Sequence, residues 1–256
     1  MSDFSVSAIM LRRINYGDSD LIISFFTKER GKISVIAKAA KKSVKRFGGI
    51  LELFSLLDLV CTKGKRRSKM AFLKEAVLKN PYESIRSDIL KTAYAGFWAE
   101  LTNTWLEEGI KQVQLFNLLE QVLHQLDKGP ASPEILSILF QLRFSAIAGI
   151  VPNLSHCCRC GRSFDDIRQD RLQPDFRQGG VICLKCSAGS GSQVGYLSQG
   201  TLKQLQWLLR GDLDKAIRIR FAPYAMAQGK KFIERFILFH LGRNLKSYKF
   251  LNQIRS

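Results

Sequence analysis

Residues 20–37 read DLIISFFTKERGKISVIA, and this stretch decides the predicted fold. Leu21, Ile23 and Phe25 occupy alternate positions, so their side chains point to one face of a strand. Glu29-Arg30-Gly31-Lys32 supplies a turn, and the apolar run 33–37 resumes the strand pattern. Similar short runs lie around it in the first 80 residues, at 5–12, 52–61 and 69–78. Five short strands with glycine-marked turns predict a small β-barrel.

The composition is that of a folded chain with an unusual charge. The 256 residues are 46% apolar and 24% charged, which excludes a disordered, a collagen-like or a disulfide-stapled chain. Forty Lys and Arg against 22 Asp and Glu give a net charge of +18, which indicates an anionic partner, either nucleic acid or a membrane surface. Residues 1–80 carry +10, 81–199 carry −1 and 200–256 carry +9, so two basic ends flank a neutral middle.

The apolar spacing becomes helical after residue 81, and Ser132-Pro133-Glu134 is typical of a helix start. The fold class is therefore α+β, an N-terminal OB-fold β-barrel followed by an α-helical domain with an inserted four-cysteine zinc-finger segment. We predict four regions. They are an OB-fold nucleic-acid-binding domain at 1–80, the first part of the helical domain at 81–152, a four-cysteine zinc-binding segment at 153–190 and a basic C-terminal helical part at 191–256. Residues 187–195 are rich in Gly and Ser and predict a flexible link.

Four cysteines give the strongest chemical signal. Cys157-x-x-Cys160 and Cys183-x-x-Cys186 are two knuckles separated by 22 residues, a spacing that lets four thiolates surround one zinc ion. Four protein ligands leave no open coordination position, so the zinc is structural. A redox dithiol and a degenerate, metal-free site are the alternatives, and His156 and Cys158 are spare donors.

Catalytic motifs are absent from the sequence. There is no P-loop, no H-E-x-x-H and no G-x-S-x-G, and no Asp-Gly pair that the K-x-D-G nucleophile of a DNA ligase requires. The carboxylate pairs Asp18/Asp20 and Asp165/Asp166 can in principle hold metals for phosphodiester chemistry, but both lie in predicted turns, where Asp is common. We therefore predict that the protein is not an enzyme.

Two basic runs in the barrel region predict nucleic-acid binding. Their residues are Lys38, Lys41, Lys42, Lys45 and Arg46 in the first run, and Lys63, Lys65, Arg66, Arg67 and Lys69 in the second. A basic groove with aromatic faces is how OB-type barrels hold single strands, although basic runs are often only solvated loops. Among the interleaved aromatics, we expect Phe25 and Phe54 to fill the barrel and Phe47 to be exposed for base stacking.

The sequence contains no sign of export or of membrane insertion. Residues 1–5 contain neither a basic nor an apolar signal region, and the apolar stretch 135–151 carries Arg143 at its centre. We therefore expect a cytoplasmic protein with reduced cysteines and a buried helix over the apolar stretch.

Several motifs together resemble the RecO family of bacterial recombination mediators. These are YGDSDLIISFFTKERGKISVIAK at 16–38, FSLL at 54–57, QLRF at 141–144, then Gly149, Pro152 and Cys157-x-x-Cys160-Gly161. Their order along the chain is that of the family. One departure is Ala39-Ala40, where the family often has Gly after the Ala-Lys step.

The resemblance implies a function and partners. Family members bind single- and double-stranded DNA, anneal complementary strands, work with RecR and engage single-stranded-DNA-binding protein so that RecA is loaded. It also implies that Lys38, Lys41, Lys42 and Arg46 lie in the barrel region that meets DNA. Arg143 is a candidate basic residue at the edge of a pocket that would bind the tail of single-stranded-DNA-binding protein. The alternative is that Arg143 pairs inside the protein. An RNA- or ribosome-associated zinc protein and a nuclease are the competing hypotheses from the residues alone.

Overall fold

The first 80 residues form a barrel. The computed structural model describes residues 2–64, 70–167, 170–187 and 195–255, without the side chains at 44, 45, 213 and 214. Within these residues the barrel strands are β1 Asp3–Tyr16, β2 Asp20–Thr27, β3 Gly31–Ala37, β4 Leu56–Thr62 and β5 Ala71–Asn80. They close in the order β1-β2-β3-β5-β4, with β4 returning to β1. The pairing of β3 with β5 is parallel and the others are antiparallel, which confirms the predicted OB-type barrel.

The alternation in β2 explains why this segment is a strand. Leu21, Ile23 and Phe25 are buried in the barrel interior, and Ile23 lies opposite Val35 of β3. The turn between the two strands ends at Gly31, whose φ of +67° is left-handed. A Cβ at Gly31 would lie 1.9 Å from the carbonyl oxygen of Ile110, so both the backbone and the packing require glycine there.

The strand limits differ most from the predicted ones in β1 and β4, and by two residues in β3 and β5. β1 is longer than the predicted 5–12, because its pairing with β2 continues to Tyr16 opposite Asp20. β4 begins at Leu56 and not at Glu52, because Phe54 adopts a left-handed φ of 72° and ends regular pairing before it. Phe54 still bonds to β1 through its N–H, which donates to the carbonyl of Met10 over 2.9 Å.

One short helix lies between two barrel strands, and the other helices of the described residues follow the barrel. Their bounds are α1 Val44–Phe47 between β3 and β4, then α2 Glu83–Ser87, α3 Ile89–Trp105, α4 Val113–Lys128, α5 Pro133–Ile147, α6 Leu184–Ser187, α7 Gln199–Arg210, α8 Leu213–Ala216, α9 Pro223–Leu241 and α10 Lys246–Arg255. The predicted start of α5 is confirmed, since the Ser132 hydroxyl accepts from the Ile135 N–H over 3.3 Å and Pro133 is the first helical residue.

Two further strands, β6 Leu172–Asp175 and β7 Gly180–Cys183, pair antiparallel. No helix of the described residues has the length and apolar character needed to cross a membrane.

The chain divides into two compact units, Met1–Gly129 with Leu245–Ser256, and Pro130–Asn244. The last helix, α10, packs on α3 in the first unit, where the Glu100 carboxylate accepts from the Ser247 N–H over 2.7 Å. In the second unit, α5, α7 and α9 pack together beside the cysteine segment, with Phe232 and Phe236 buried. The predicted boundaries at 80, 152 and 190 stay predictions, and most of the predicted link at 187–195 lies outside the described residues.

Ala39 carries the backbone strain of the turn after β3. Its φ of 54° is left-handed, a conformation that costs a residue with a Cβ about 1–2 kcal/mol and glycine very little. We expect Ala39→Gly to raise the free energy of unfolding by about 0.5 kcal/mol, since glycine loses part of the gain through its freer unfolded chain. Ala40→Gly, one residue further along the chain, is the control and should lower the free energy of unfolding. Urea unfolding of the two variants measures the difference, and equal destabilisation would contradict the prediction.

Candidate metal centre and nucleic-acid interface

Four cysteine sulfurs meet in the second unit. The Sγ atoms of Cys157, Cys160, Cys183 and Cys186 all lie within 4.8 Å of one another, and those of Cys160 and Cys183 are 3.9 Å apart. A tetrahedral zinc with Zn–S bonds of about 2.3 Å requires sulfurs about 3.8 Å apart. The four thiols therefore have the geometry to hold one metal ion.

Local structure explains how the two knuckles come together. Cys183 is the last residue of β7 and Cys186 lies in α6, the single turn that follows. The first knuckle is tied to β7 because the Cys158 N–H donates to the Val181 carbonyl over 3.0 Å. Gly161 closes this knuckle with a φ of 71°, and its N–H donates to the Cys157 carbonyl over 2.9 Å. The arrangement thus depends on the backbone of both knuckles and on the β6–β7 hairpin.

Hydrogen bonds shift the pKa values of two cysteines of the cluster in opposite directions. Burial by itself raises the pKa of Cys157, but backbone N–H groups, led by those of Cys160 and Cys183, outweigh it and lower the pKa to about 6. Hydrogen bonds with the sulfurs of Cys183 and Cys160 raise the pKa of Cys186 to about 12. A bound cation would replace these shared protons, because metal ligation requires deprotonated thiols.

The spare donors stay outside the cluster. Cys158 is not one of the four clustered sulfurs, and burial raises the pKa of its thiol. The His156 ring is exposed, and its Nδ1 shares a hydrogen bond of 2.7 Å with the Ser155 hydroxyl. The sulfurs of Cys160 and Cys183 are 3.9 Å apart, almost twice the roughly 2.05 Å of a disulfide bond, so these two cysteines are not joined by a disulfide.

The first predicted basic run lies in the connection between β3 and β4, residues 38–55. Lys38, Lys41, Lys42 and Arg46 are all exposed there, and we call these four residues the basic connection. The side chain of Lys45 lies outside the described residues, as do Lys65, Arg66, Arg67 and Lys69 of the second run. The position of the second run relative to the first therefore stays a prediction.

Internal contacts hold three of the four cations in place. The Arg46 guanidinium donates to the Lys38 carbonyl over 2.9 Å and lies 4.6 Å from the ring centre of Phe47. The Lys41 ammonium donates to the Gly17 carbonyl over 3.1 Å, and that of Lys38 lies 5.4 Å from the ring centre of Phe72. These contacts orient the cations and leave their charge uncompensated.

Other barrel lysines are neutralised locally. Lys74 pairs with Asp3 over 2.7 Å, and Lys79 pairs with Asp58 over 3.3 Å. Within the described residues, the basic connection makes no such ion pair with a carboxylate. Its charge is therefore available to an anionic partner.

The expectation for Phe47 was wrong. Its side chain is only 3% exposed and belongs to the barrel core, because the short helix α1 turns the ring inward beneath Arg46. The expectation for Phe25 is confirmed, because its side chain lies in the barrel core, whereas Phe54 is buried but does not belong to that core cluster. No signal in the sequence indicated the cation–ring contact of Lys38, since Phe72 is 34 residues away from it along the chain.

Comparison with known proteins decides the family. The family model described as Recombination protein O N terminal matches residues 1–82, and that described as Recombination protein O C terminal matches residues 86–249. The chain belongs to the RecO family. Two similar proteins, each named DNA repair protein RecO, come from Desulfatibacillum aliphaticivorans and Desulfosudis oleivorans. The first is 42% identical over 255 residues, covering 100% of this chain and 98% of the relative, and the second 44% identical over 258 residues, covering 100% and 99%. A DNA repair protein RecO of Anaeromyxobacter sp. (strain K) is 33% identical over 254 residues, covering 99% and 98%.

The similar proteins are named DNA repair proteins, and the expectation that this chain is not an enzyme stays a prediction. In this RecO-family chain one member of each carboxylate pair has a structural contact. Asp20 accepts from the Ala39 N–H over 2.7 Å and so helps to hold the strained turn after β3. Asp165 forms an ion pair of 3.6 Å with Lys203.

Arg143 of α5 contacts the end of α7 in the second unit. Its Nε donates to the Leu208 carbonyl over 3.1 Å, and its Nη2 donates to the Gly211 carbonyl. Burial lowers the pKa of this guanidinium, and the charge of Asp212 opposes the shift. These contacts correspond to the internal-pairing alternative, and the partner role of Arg143 stays a prediction.

We expect Arg143→Ala to lower the free energy of unfolding by about 1.5 kcal/mol, because charged hydrogen bonds to two helix-end carbonyls are lost. Arg162→Ala, an exposed arginine of the same unit, is the control. Thermal unfolding of both variants measures the difference. An Arg143→Ala protein as stable as the control variant would leave the guanidinium free for a partner and contradict the structural role.

Proposed function

We propose that this RecO-family chain is a DNA-binding recombination mediator. It binds single- and double-stranded DNA, anneals complementary strands and, with RecR, helps to load RecA onto DNA coated with single-stranded-DNA-binding protein. The observation that carries the proposal is the basic connection, whose four exposed cations lack carboxylate partners among the described residues of a closed OB-type barrel. The proposed site of action is the nucleoid, where these substrates occur.

The physical basis of annealing is neutralisation of charge. Two complementary strands repel each other through their phosphates, and lysines and arginines that replace condensed counterions remove part of that repulsion. No bond is made or broken in the process, so the proposal needs no nucleotide and no catalytic group. Lys65, Arg66, Arg67 and Lys45 are proposed to extend the same DNA-binding surface.

The metal that we propose for the cysteine cluster is one structural zinc ion. Cys157, Cys160, Cys183 and Cys186 would hold it, because four closely spaced thiols are the donor set of structural zinc sites. Bound zinc would supply cross-linking between the two knuckles. The chain itself positions the donors through the Cys158 and Gly161 backbone bonds.

An annealing assay tests the proposed function. Two complementary DNA strands, each coated with single-stranded-DNA-binding protein, are mixed with and without this protein in the absence of nucleotide. Acceleration of duplex formation is the expected result and would establish both the DNA activity and the protein partner. If bare single strands are bound but no annealing is accelerated, the annealing function is wrong. Tighter binding of structured RNA than of single-stranded DNA would instead favour an RNA-associated protein.

A further inference from the structure

A groove of about 440 Å³ lies in the first unit between one end of the barrel and helix α4. Leu56 at the start of β4 and Asn80 at the end of β5 line one side, together with Tyr82. The side chains that α4 contributes are all polar and are spaced by three or four positions, so they lie on one face of the helix. They are Asn117, Glu120, Gln121 and His124. We call this site the α4 groove.

Tyr82 supplies a buried hydroxyl to the α4 groove. The residue is only 1% exposed, and among the described residues its hydroxyl makes no hydrogen bond. Burial raises the pKa of this hydroxyl, and the charges of Glu120 and Asp127 raise it further, so the hydroxyl stays protonated. A buried polar group without a partner is costly and uncommon in folded proteins, so this hydroxyl points to a ligand that bonds to it.

The backbone at Tyr82 adopts an unfavourable conformation next to the groove. Its φ of 48° is left-handed, which is disfavoured for a residue with a Cβ. Two hydrogen bonds hold this turn. The Asn80 side-chain oxygen accepts from the Tyr82 N–H over 3.1 Å, and the Arg86 guanidinium donates to the Pro81 carbonyl. Strain at a residue that lines a cavity is typical of positions that contact a ligand.

Glu120 is an unpaired charge in the groove. Two other carboxylates of the first unit have partners, since Asp127 accepts from the Ser84 N–H over 2.9 Å and Asp58 pairs with Lys79. Among the described residues Glu120 has neither a hydrogen bond nor an ion pair, although its side chain is half-buried. In a chain with a net charge of +18, this groove is a negative site that repels phosphates and attracts a cation.

The hydrogen-bonding groups of the groove indicate the form of that cation. The Glu120 carboxylate only accepts hydrogen bonds, and the Tyr82 oxygen and two side-chain amides can also accept them. A guanidinium presents five N–H donors in one plane, whereas an ammonium is a compact charge with three. Among the described lining residues there is no lysine or arginine to pair with the carboxylate of a free amino acid. A guanidinium within a polypeptide therefore fits the groove best.

We propose that the α4 groove binds an arginine side chain of a partner protein, with its guanidinium against Glu120 and the Tyr82 hydroxyl. Asn117 and Gln121 contact the remaining N–H groups. These two residues and His124 are exposed, so the groove is open to a side chain from another protein. The inference does not depend on the proposed DNA binding, because the charge of the groove is opposite to that of the basic connection.

The test follows the histidine rings of the full-length protein by NMR while a peptide is added at pH 8, where histidine is ordinarily neutral. His124 lines the groove, whereas His156 and His240 belong to the second unit and are internal controls. The probe is the terminally blocked tripeptide Gly-Arg-Gly, and its reference carries citrulline, which has nearly the same shape and no charge. We expect the arginine peptide to shift the His124 resonances saturably and the citrulline peptide to bind about tenfold more weakly.

Variants test the two contacts separately. Glu120→Gln should weaken binding of the arginine peptide about tenfold, and Tyr82→Phe about threefold, since one neutral hydrogen bond is lost. Because the Tyr82 hydroxyl has no partner in the protein, Tyr82→Phe should unfold at a urea concentration no lower than that of the wild type. Glu107→Gln is the matched control. It removes an exposed carboxylate that lines a different cavity of the same unit, so the affinity should stay at the wild-type value.

The outcomes separate the arginine site from its alternatives. Weaker binding in both groove variants and not in Glu107→Gln supports the proposal. Equal affinity for the citrulline peptide, or for a matched lysine peptide, overturns the assignment to arginine. A Tyr82→Phe protein that is less stable than the wild type would mean that the hydroxyl is bonded within the protein, which also overturns it. If short single-stranded DNA shifts the His124 resonances and the arginine peptide does not, the groove belongs to the DNA-binding surface and the proposal is wrong.

Discussion

Replacing Lys41 and Arg46 together with alanine is expected to weaken DNA binding by about ten- to a hundredfold near 0.1 M salt. Each phosphate contact releases about one counterion, so the slope of log affinity against log salt should fall in magnitude by about one to two. The loss should be similar for all sequences, because phosphates carry no sequence information. Binding titrations at several salt concentrations measure both quantities.

The barrel offers a control with the same change in net charge. Lys74→Ala with Lys79→Ala also removes two cations, but these pair with Asp3 and Asp58 in the free protein. Their charges are already compensated, so we expect a much smaller change in the salt slope. Equal salt slopes for the two double variants would mean that net charge alone drives binding. A salt slope unchanged by Lys41→Ala with Arg46→Ala would mean that the basic connection is not part of the DNA-binding surface.

The structure also explains why Arg46 should matter more than a solvated lysine. One arm of its guanidinium is held by the Lys38 carbonyl, and its plane lies close to the Phe47 ring. Less side-chain entropy is then lost when the remaining N–H groups bind a phosphate. Arg46→Lys keeps the charge but lacks the planar fork, and a partial loss of affinity in that variant would show the contribution of geometry.

Local patterns in the sequence were sufficient to predict the barrel. Alternation in β2, a glycine turn at Gly31 and four further short runs determine five strands, and these signals are local in the chain. Phe47 was misplaced for the same reason, because a local pattern shows an aromatic between Arg46 and Gly48 but not the core beneath it. Burial of a loop residue depends on contacts with distant strands, which no single segment contains.

The α4 groove is a second feature that the sequence does not reveal. Its lining comes from β4, from the end of β5, from Tyr82 and from α4, so no motif joins Tyr82 to Glu120. The cysteine pairs were easier to find, since zinc chemistry fixes both the residue type and the short spacing within each knuckle. The basic C-terminal part, residues 200–256, is the opposite case. Lys231 belongs to the second unit and Lys249 to the first, so the fold divides a region that the charge count treats as one.

Cys157→Ser should abolish stoichiometric metal binding and lower the free energy of unfolding by at least about 3 kcal/mol, because three thiolates hold zinc far more weakly than four. Cys157 is a ligand whose thiolate the protein stabilises, as backbone N–H groups lower its pKa to about 6 against the effect of burial. We expect one zinc per wild-type chain by elemental analysis of freshly reduced protein.

Cys158→Ser is the matched control for this prediction. Cys158 is the next residue in the chain, yet its sulfur is outside the cluster, and its structural contact with Val181 is made by the backbone N–H, which serine retains. We therefore expect this variant to keep its zinc and to unfold within about 1 kcal/mol of the wild type. Equal loss of metal in both variants would mean that metal binding depends on the whole Cys157–Cys160 segment and not only on the four clustered sulfurs. If the wild-type protein contains no metal and Cys157→Ser leaves the free energy of unfolding unchanged, the hairpin backbone alone holds the two knuckles together.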